Sequence, residues 1–302
     1  MSAALTVKRK KPGSSRLSRG LTYGFLTAVA LAWLVPVGGA IYASLRPYAE
    51  TQRKGIFSWP NSLSFSNYTN AWKQSGMGGL HGTFANTAFI VLPSIVLVLL
   101  LSSMMAFAVS RFTWRFNVTL LLIFTAGNLL PPQVIFKPLF TMFQHIPWPN
   151  FLSDTDTGDL LGTKIAVIII HVAFQTGFCT FVLSNYMKTI PKELNEAALV
   201  DGASVPRQFF QIILPLCRPA LAALATLEFT WLYNDFFWAV VLINQGKERP
   251  ITSSIANLGG QFFSNDNLIA AASMIIALPT LAVYLALQKQ FISGLTLGAS
   301  KG

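Results

Sequence analysis

Charge is scarce in this sequence. Only 11% of its 302 residues are Asp, Glu, Lys or Arg, against roughly 25% in soluble domains. That deficit excludes an ordinary soluble surface. Cysteine is scarcer still: Cys179 and Cys217 stand alone and far apart. They make neither a disulfide framework nor a zinc site and read as small core residues. The three histidines, His81, His145 and His171, are isolated and lack metal-ligand spacing, so no clustered catalytic site is expected. No Gly-x-x-x-x-Gly-Lys-Ser/Thr stretch occurs either, so the chain has no such loop to cradle ATP phosphates.

What fills the chain is apolar: 53% of residues are hydrophobic, with a mean hydropathy of +0.52. A helix needs about 20 apolar residues to cross roughly 30 Å of hydrocarbon. Six segments qualify: 22–45, 83–109, 117–140, 164–186, 219–243 and 268–288. The predicted fold class is all-α, a polytopic membrane protein with six transmembrane helices over 21–302 behind a basic tail at 1–20. The apolar run after Lys8, Arg9, Lys10 and Lys11 exceeds the ~7–15 residues of a cleaved signal core. It reads as an uncleaved first span, with the tail through Pro12-Gly13-Ser14-Ser15 disordered. Pro131, Pro132 and Pro138 interrupt the third segment. Broken helices survive in membranes only against protein or a watery cavity, so this span reads as a plain kink or a cavity wall.

Net charge is +11. In so apolar a chain, this points to Lys and Arg holding loops on an anionic cytoplasmic leaflet, not to nucleic acid. Arg111 and Arg115 follow the second span. Lys188, Lys192, Arg207 and Arg218 follow the fourth, and Lys289 and Lys301 the last. With the basic tail they share one side, while Asp154, Asp156 and Asp159 take the other. The loop carrying Arg46, Arg53, Lys54 and Lys73 is the one contrary vote. Both termini are therefore expected in the cytoplasm. Trp59 and Trp148, in outer loops, read as interface anchors.

A polar insert at about 188–218 then lies on the cytoplasmic side. Pro191 suits the first turn of a helix, and Leu194, Ala197, Ala198 and Asp201 fall on one face. Gly202 suits a helix-ending turn. Ser204 and Pro206 signal a second helix, carrying Phe209, Phe210, Ile212 and Ile213 and stopping at Pro215. The segment reads helix, tight turn, helix. Glu196 offers a carboxylate to a basic partner, and the two alanines permit close approach. On residue types alone, a hairpin that merely covers the bundle fits equally.

The spacing Glu196-Ala197-Ala198, Gly202, Ile212, Leu214-Pro215 resembles the EAA loop of ABC importer permeases. Trp231-Leu232-Tyr233-Asn234-Asp235-Phe236 resembles the WNDF segment of carbohydrate importer permeases, with Tyr233 where the family has Trp. The end, from Gly294-Leu295-Thr296 to Lys301-Gly302, resembles their terminus, with Ser300 for the usual Val. The resemblance covers nearly everything after the tail. It implies a carbohydrate-uptake permease of the maltose-transporter-like type, in the cytoplasmic membrane of a bacterium. It also implies that Glu196, Ala197, Ala198, Asp201, Gly202, Ile212, Leu214 and Pro215 couple the spans to a cytoplasmic ATPase. The implied partners are a second homologous permease in a heterodimer, an ATPase dimer and an extracytoplasmic substrate-binding protein. No cofactor is expected on this chain; ATP and Mg belong to the ATPase, and the chain itself is a translocation subunit rather than an enzyme.

Polar groups within spans mark candidate solute paths. Glu228 and Asp235, seven apart, are predicted on one helical face, with Trp231 between them and Asn234 nearby. Such a face suits a sugar and equally suits interhelical hydrogen bonds. His171 and Gln175 step by four along the fourth span; Asn128 and Gln133 flank the proline break. A lone His on an apolar helix is more often a packing residue. The lack of a mid-span Arg favours a neutral sugar or oligosaccharide. Alternatives are a polyol or glycerophosphodiester in the same machinery. A different class is an ion-gradient-driven secondary transporter, which predicts broken helices in both halves.

Overall fold

The computed structural model describes residues 16–55, 58–74, 79–128, 130–149, 158–243, 246–255 and 265–299. Four helices are long and apolar enough to cross a membrane unaided: Ser18–Ser44, Leu80–Arg111, Lys164–Met187 and Asp266–Gln288. They belong to α1 (Arg16–Ser44), α4 (Gly79–Arg111), α7 (Lys164–Met187) and α13 (Asp266–Ala299). Short helices α2 (Tyr48–Lys54) and α3 (Ser66–Gln74) join α1 to α4. The helix begins at Arg16, inside the stretch expected as tail; Lys8–Lys11, Asp154, Asp156 and Lys301 lie outside the described residues.

Among the described residues two further bent helix pairs, Asn117–Gly127 with Pro132–Gln144 and Val205–Leu216 with Arg218–Tyr233, are apolar enough to cross, so there are four candidate spans, or up to six if each pair counts as one. The expected third span is two helices, α5 (Asn117–Gly127) and α6 (Pro132–Gln144), inclined at 93°. Pro131 is extended with ψ 130°, as a residue before proline must be. The expected fifth span is also broken. Helix α11 (Arg218–Tyr233) ends at Tyr233, and α12 (Phe237–Leu242) restarts after a three-residue gap. Side chains take over the backbone bonds there. Asn234 Nδ2 donates to the Thr230 carbonyl at 2.7 Å, and Asp235 accepts from the Trp238 and Ala239 amides at 3.3 and 3.1 Å. Asp235, one residue before the N-cap Phe236, thus satisfies the open amides at the start of α12, and it does not share a helical face with Glu228.

The core is the parallel pair α4 and α7, packed through small residues. Ser102, Ser103 and Ala106 of α4 and Ala166, Cys179 and Thr180 of α7 are buried. Ser102 Oγ donates to the Thr176 carbonyl at 3.1 Å across the pair. Close approach through small side chains replaces the hydrophobic drive that lipid does not supply. Gly177 lets α5 sit directly on α7: a β-carbon there would stand 2.3 Å from the Phe124 carbonyl oxygen.

Three polar clusters fasten the ends. On the N-terminal side of α7, Lys164 Nζ meets Glu248 Oε2 at 2.6 Å, and the Ile251 amide donates to Thr87 Oγ1 at 2.8 Å. Arg46, counted as a contrary charge in orientation, is 1% exposed and donates to Gly55 O, Ser58 Oγ and Glu50. It is a structural cation rather than a loop charge. The Asn61 amide, with Arg46, holds the Glu50 carboxyl below its usual range. At the other end, Arg111 closes α4 by donating to the Met187 and Ile190 carbonyls at 3.0 and 3.2 Å, a cation on the open carbonyls of the α7 terminus.

Candidate functional site: a cavity between two broken spans and a seated insert

Both breaks converge on α7. They enclose a half-open cavity of about 230 Å³. The α5–α6 break contributes Asn128, Leu130 and Pro132; α7 contributes His171, Phe174 and Gln175; the α11–α12 break contributes Trp231, Asp235 and Trp238. Irregular backbone therefore occurs where it walls a polar cavity rather than in lipid. Of the expected path residues, the structure brings together Asn128, His171, Gln175, Trp231 and Asp235. It leaves out Gln133, Asn234 and Glu228, which are not among the lining residues. Glu228 is wholly buried and accepts from Cys179 Sγ at 3.1 Å, tying α11 to α7 within this chain.

The cavity lining combines aromatic and polar side chains. Trp231 lies against Phe178 with centroids 5.3 Å apart, and Phe174 against Trp238 at 5.7 Å. Trp231 is 44% exposed, so part of its indole is open. Among the polar groups, His171 Nε2 stands 3.7 Å from Asp235 Oδ2, beyond hydrogen-bond range. His171 Nε2 and Asn128 Nδ2 are buried without a hydrogen-bond partner among the described residues. Phe174 and Gly177 escaped the sequence reading. Phe174 was visible only as the residue three after His171. Gly177 carried no signal, because a helical glycine reveals its role only through its neighbour.

The insert forms α8 (Glu193–Val200), a turn, α9 (Val205–Arg207), a π-helical stretch Gln208–Ile213 and α10 (Leu214–Leu216). Pro191 lies just outside α8 rather than in its first turn. Gly202 has φ +74°, with its amide on the Leu199 carbonyl and the Ala203 amide on the Ala198 carbonyl, a helix-ending pattern that favours glycine. Glu196, Ala197, Asp201 and Gly202 are exposed, while Ala198 is buried. The second helix does not stop at Pro215. It runs to Leu216 and bends by 74° at Cys217 into α11. The Pro215 ring would crowd the Gln211 carbonyl four residues back, and the π stretch relieves that crowding. Ile212, Leu214 and Pro215 are half-buried on the bundle side and stand apart from the exposed α8 face. Phe209 seats the insert: its ring lies 5.4 Å from that of Phe107 in α4, in a buried cluster with Met187, Ile213 and Cys217.

The family described as "Binding-protein-dependent transport system inner membrane component" matches residues 98–296. The chain belongs to that family. The family match spans α7, the insert and both wall segments of the cavity. Among relatives, the melibiose/raffinose/stachyose import permease protein MelC of Bacillus subtilis is 31% identical over 91% of this chain and 94% of its own length. The arabinooligosaccharides transport system permease protein AraQ of Halalkalibacterium halodurans is 30% identical over 97% of this chain and 100% of its own. A solved bacterial ABC transporter involved in the import of the acidic polysaccharide alginate shares the fold. Its TM-score is 0.74 at 21% identity, over 93% of this chain and 100% of that one.

Proposed function

We propose that this chain is the permease subunit of an ATP-driven importer that moves a neutral sugar or oligosaccharide across the cytoplasmic membrane. The observation that carries the reading is full-length similarity to permeases named for oligosaccharide import, MelC and AraQ among them. The cavity is consistent with it: a partly open indole beside an amide, an imidazole and a carboxylate suits a ring with an apolar face and hydroxyl edges. A second permease of the same family, a cytoplasmic ATPase dimer and an extracytoplasmic binding protein complete the machine. ATP and Mg are held by the ATPase. Glu196, Ala197 and Gly202 present the exposed face that the ATPase grips, and Phe209 transmits its movement to α4 and α7. Both termini lie in the cytoplasm.

Purification in mild detergent with identification of the co-purifying subunits tests the assembly. Neutral oligosaccharides are then screened against the co-purified binding protein. Recovery of an ATPase and a second permease, with saturable binding of an oligosaccharide, is the expected result. A chain that purifies alone and moves solute alone contradicts it.

A further inference from the structure

We infer that the cavity at the two span breaks is a solute subsite belonging to this chain, in which one hydroxyl of a neutral polyhydroxylated solute bridges His171 Nε2 and Asp235 Oδ2. The inference rests on the importer reading above and names the chemistry of its site. Four observations carry it. The His171 side chain is 7% exposed and lines the cavity, yet its Nε2 has no hydrogen-bond partner among the described residues. Buried polar atoms are almost always paired, so an unpaired one on a cavity-lining side chain indicates a group supplied from elsewhere. Asn128 Nδ2, on a second lining residue from the α5–α6 break, is unpaired in the same way.

Asp235 is the third observation. Its carboxylate is held by the α12 amides and 3.7 Å from Nε2. An oxygen about 2.8 Å from both atoms fits that spacing. With the proton on Nε2, that oxygen must accept from His171 and donate to Asp235. A hydroxyl does both. A deprotonated carboxylate or phosphodiester oxygen at that point cannot donate, so the position takes a hydroxyl rather than an anionic oxygen. The fourth is the indole of Trp231, which lines the same cavity and is 44% exposed overall, and which offers apolar surface for a pyranose ring.

The test is a mutant cycle between side chain and hydroxyl, run on the complete transporter in proteoliposomes. The probes are melibiose, raffinose and diacetylchitobiose, then every monodeoxy analogue of whichever is taken up fastest. The wild type should take up one analogue about 10-fold or more slowly at subsaturating concentration. His171→Leu should slow the parent sugar to the rate of that analogue, so that their ratio falls to about 1. Asn128→Ala should erase the preference at a different hydroxyl. Should His171→Leu fail to assemble, His171→Gln, which keeps an N–H donor, must preserve the preference, while Asn128→Ala still carries the test. Equal slowing of parent and analogue, with the ratio kept, means that His171 packs or holds a water, and overturns the subsite alone. A wild type indifferent to every analogue also overturns it. An assembled complex that takes up no oligosaccharide removes both the subsite and the importer reading.

Discussion

Gly177 on α7 lies against Phe124 on α5 so closely that a β-carbon would stand 2.3 Å from the Phe124 carbonyl oxygen and 3.0 Å from Asn128 Nδ2. Contact at that distance involves backbone, which cannot rotate away. Gly177→Ala should therefore push α5 outward, carry Asn128 off the cavity wall and cost about 1–3 kcal/mol. The measurement is the melting temperature of the detergent-purified complex together with uptake. A variant that melts and transports like wild type would show that α5 is not seated on Gly177.

At Gly202 the strain has a different origin. A β-carbon there meets nothing within 4 Å, but φ is +74°. Substitutions should rank by their tolerance of left-handed backbone: Asn best, Ala next, Val worst. Gly202→Val should let ATP hydrolysis continue in the assembled complex while sugar uptake falls. Normal uptake by Gly202→Val would remove the insert from the coupling path.

Phe209 is buried against Phe107, Met187 and Ile213. Phe209→Ala should cost about 3–5 kcal/mol locally and loosen the insert from α4 and α7. The expected signature is new protease sensitivity between Lys188 and Arg218 with helix content retained. An insert as resistant as in wild type would mean that other contacts hold it.

Orientation is open to thiol labelling, since Cys179 and Cys217 are buried. Trp59 is 90% exposed on the α2–α3 side, and Val200 is 87% exposed on the insert. A membrane-impermeant maleimide should label Trp59→Cys in intact cells and Val200→Cys only after permeabilisation. The reverse pattern would put the insert on the outer face.

Where one apolar run coincides with one helix, the structure was legible in the sequence. The fourth span, read as 164–186, is Lys164–Met187. The break at Asn234 and Asp235 was not legible. Trp231 to Trp238 is continuously apolar or aromatic around those two residues, so its pattern continues a helix. What ends it is side-chain bonding to backbone, Asn234 to Thr230 and Asp235 to Trp238 and Ala239, which spacing does not reveal. Reading Glu228 and Asp235 as one face failed for that reason. Pro215 misled in the opposite direction. A proline predicts a stop, but the π stretch before it absorbs the misfit and the helix runs on to Leu216. The cavity residues were legible one by one as polar groups in apolar spans. Their convergence was not, because it depends on two breaks meeting α7.

The central claim is that transport through this chain is driven by ATP on a partner. Proteoliposomes holding the purified complete complex, with ligand-loaded binding protein outside and no ion gradient, test it most directly. Sugar should accumulate against its gradient with ATP and Mg inside, and not with ADP. Accumulation that proceeds with ADP and needs only an imposed proton or sodium gradient would contradict the account.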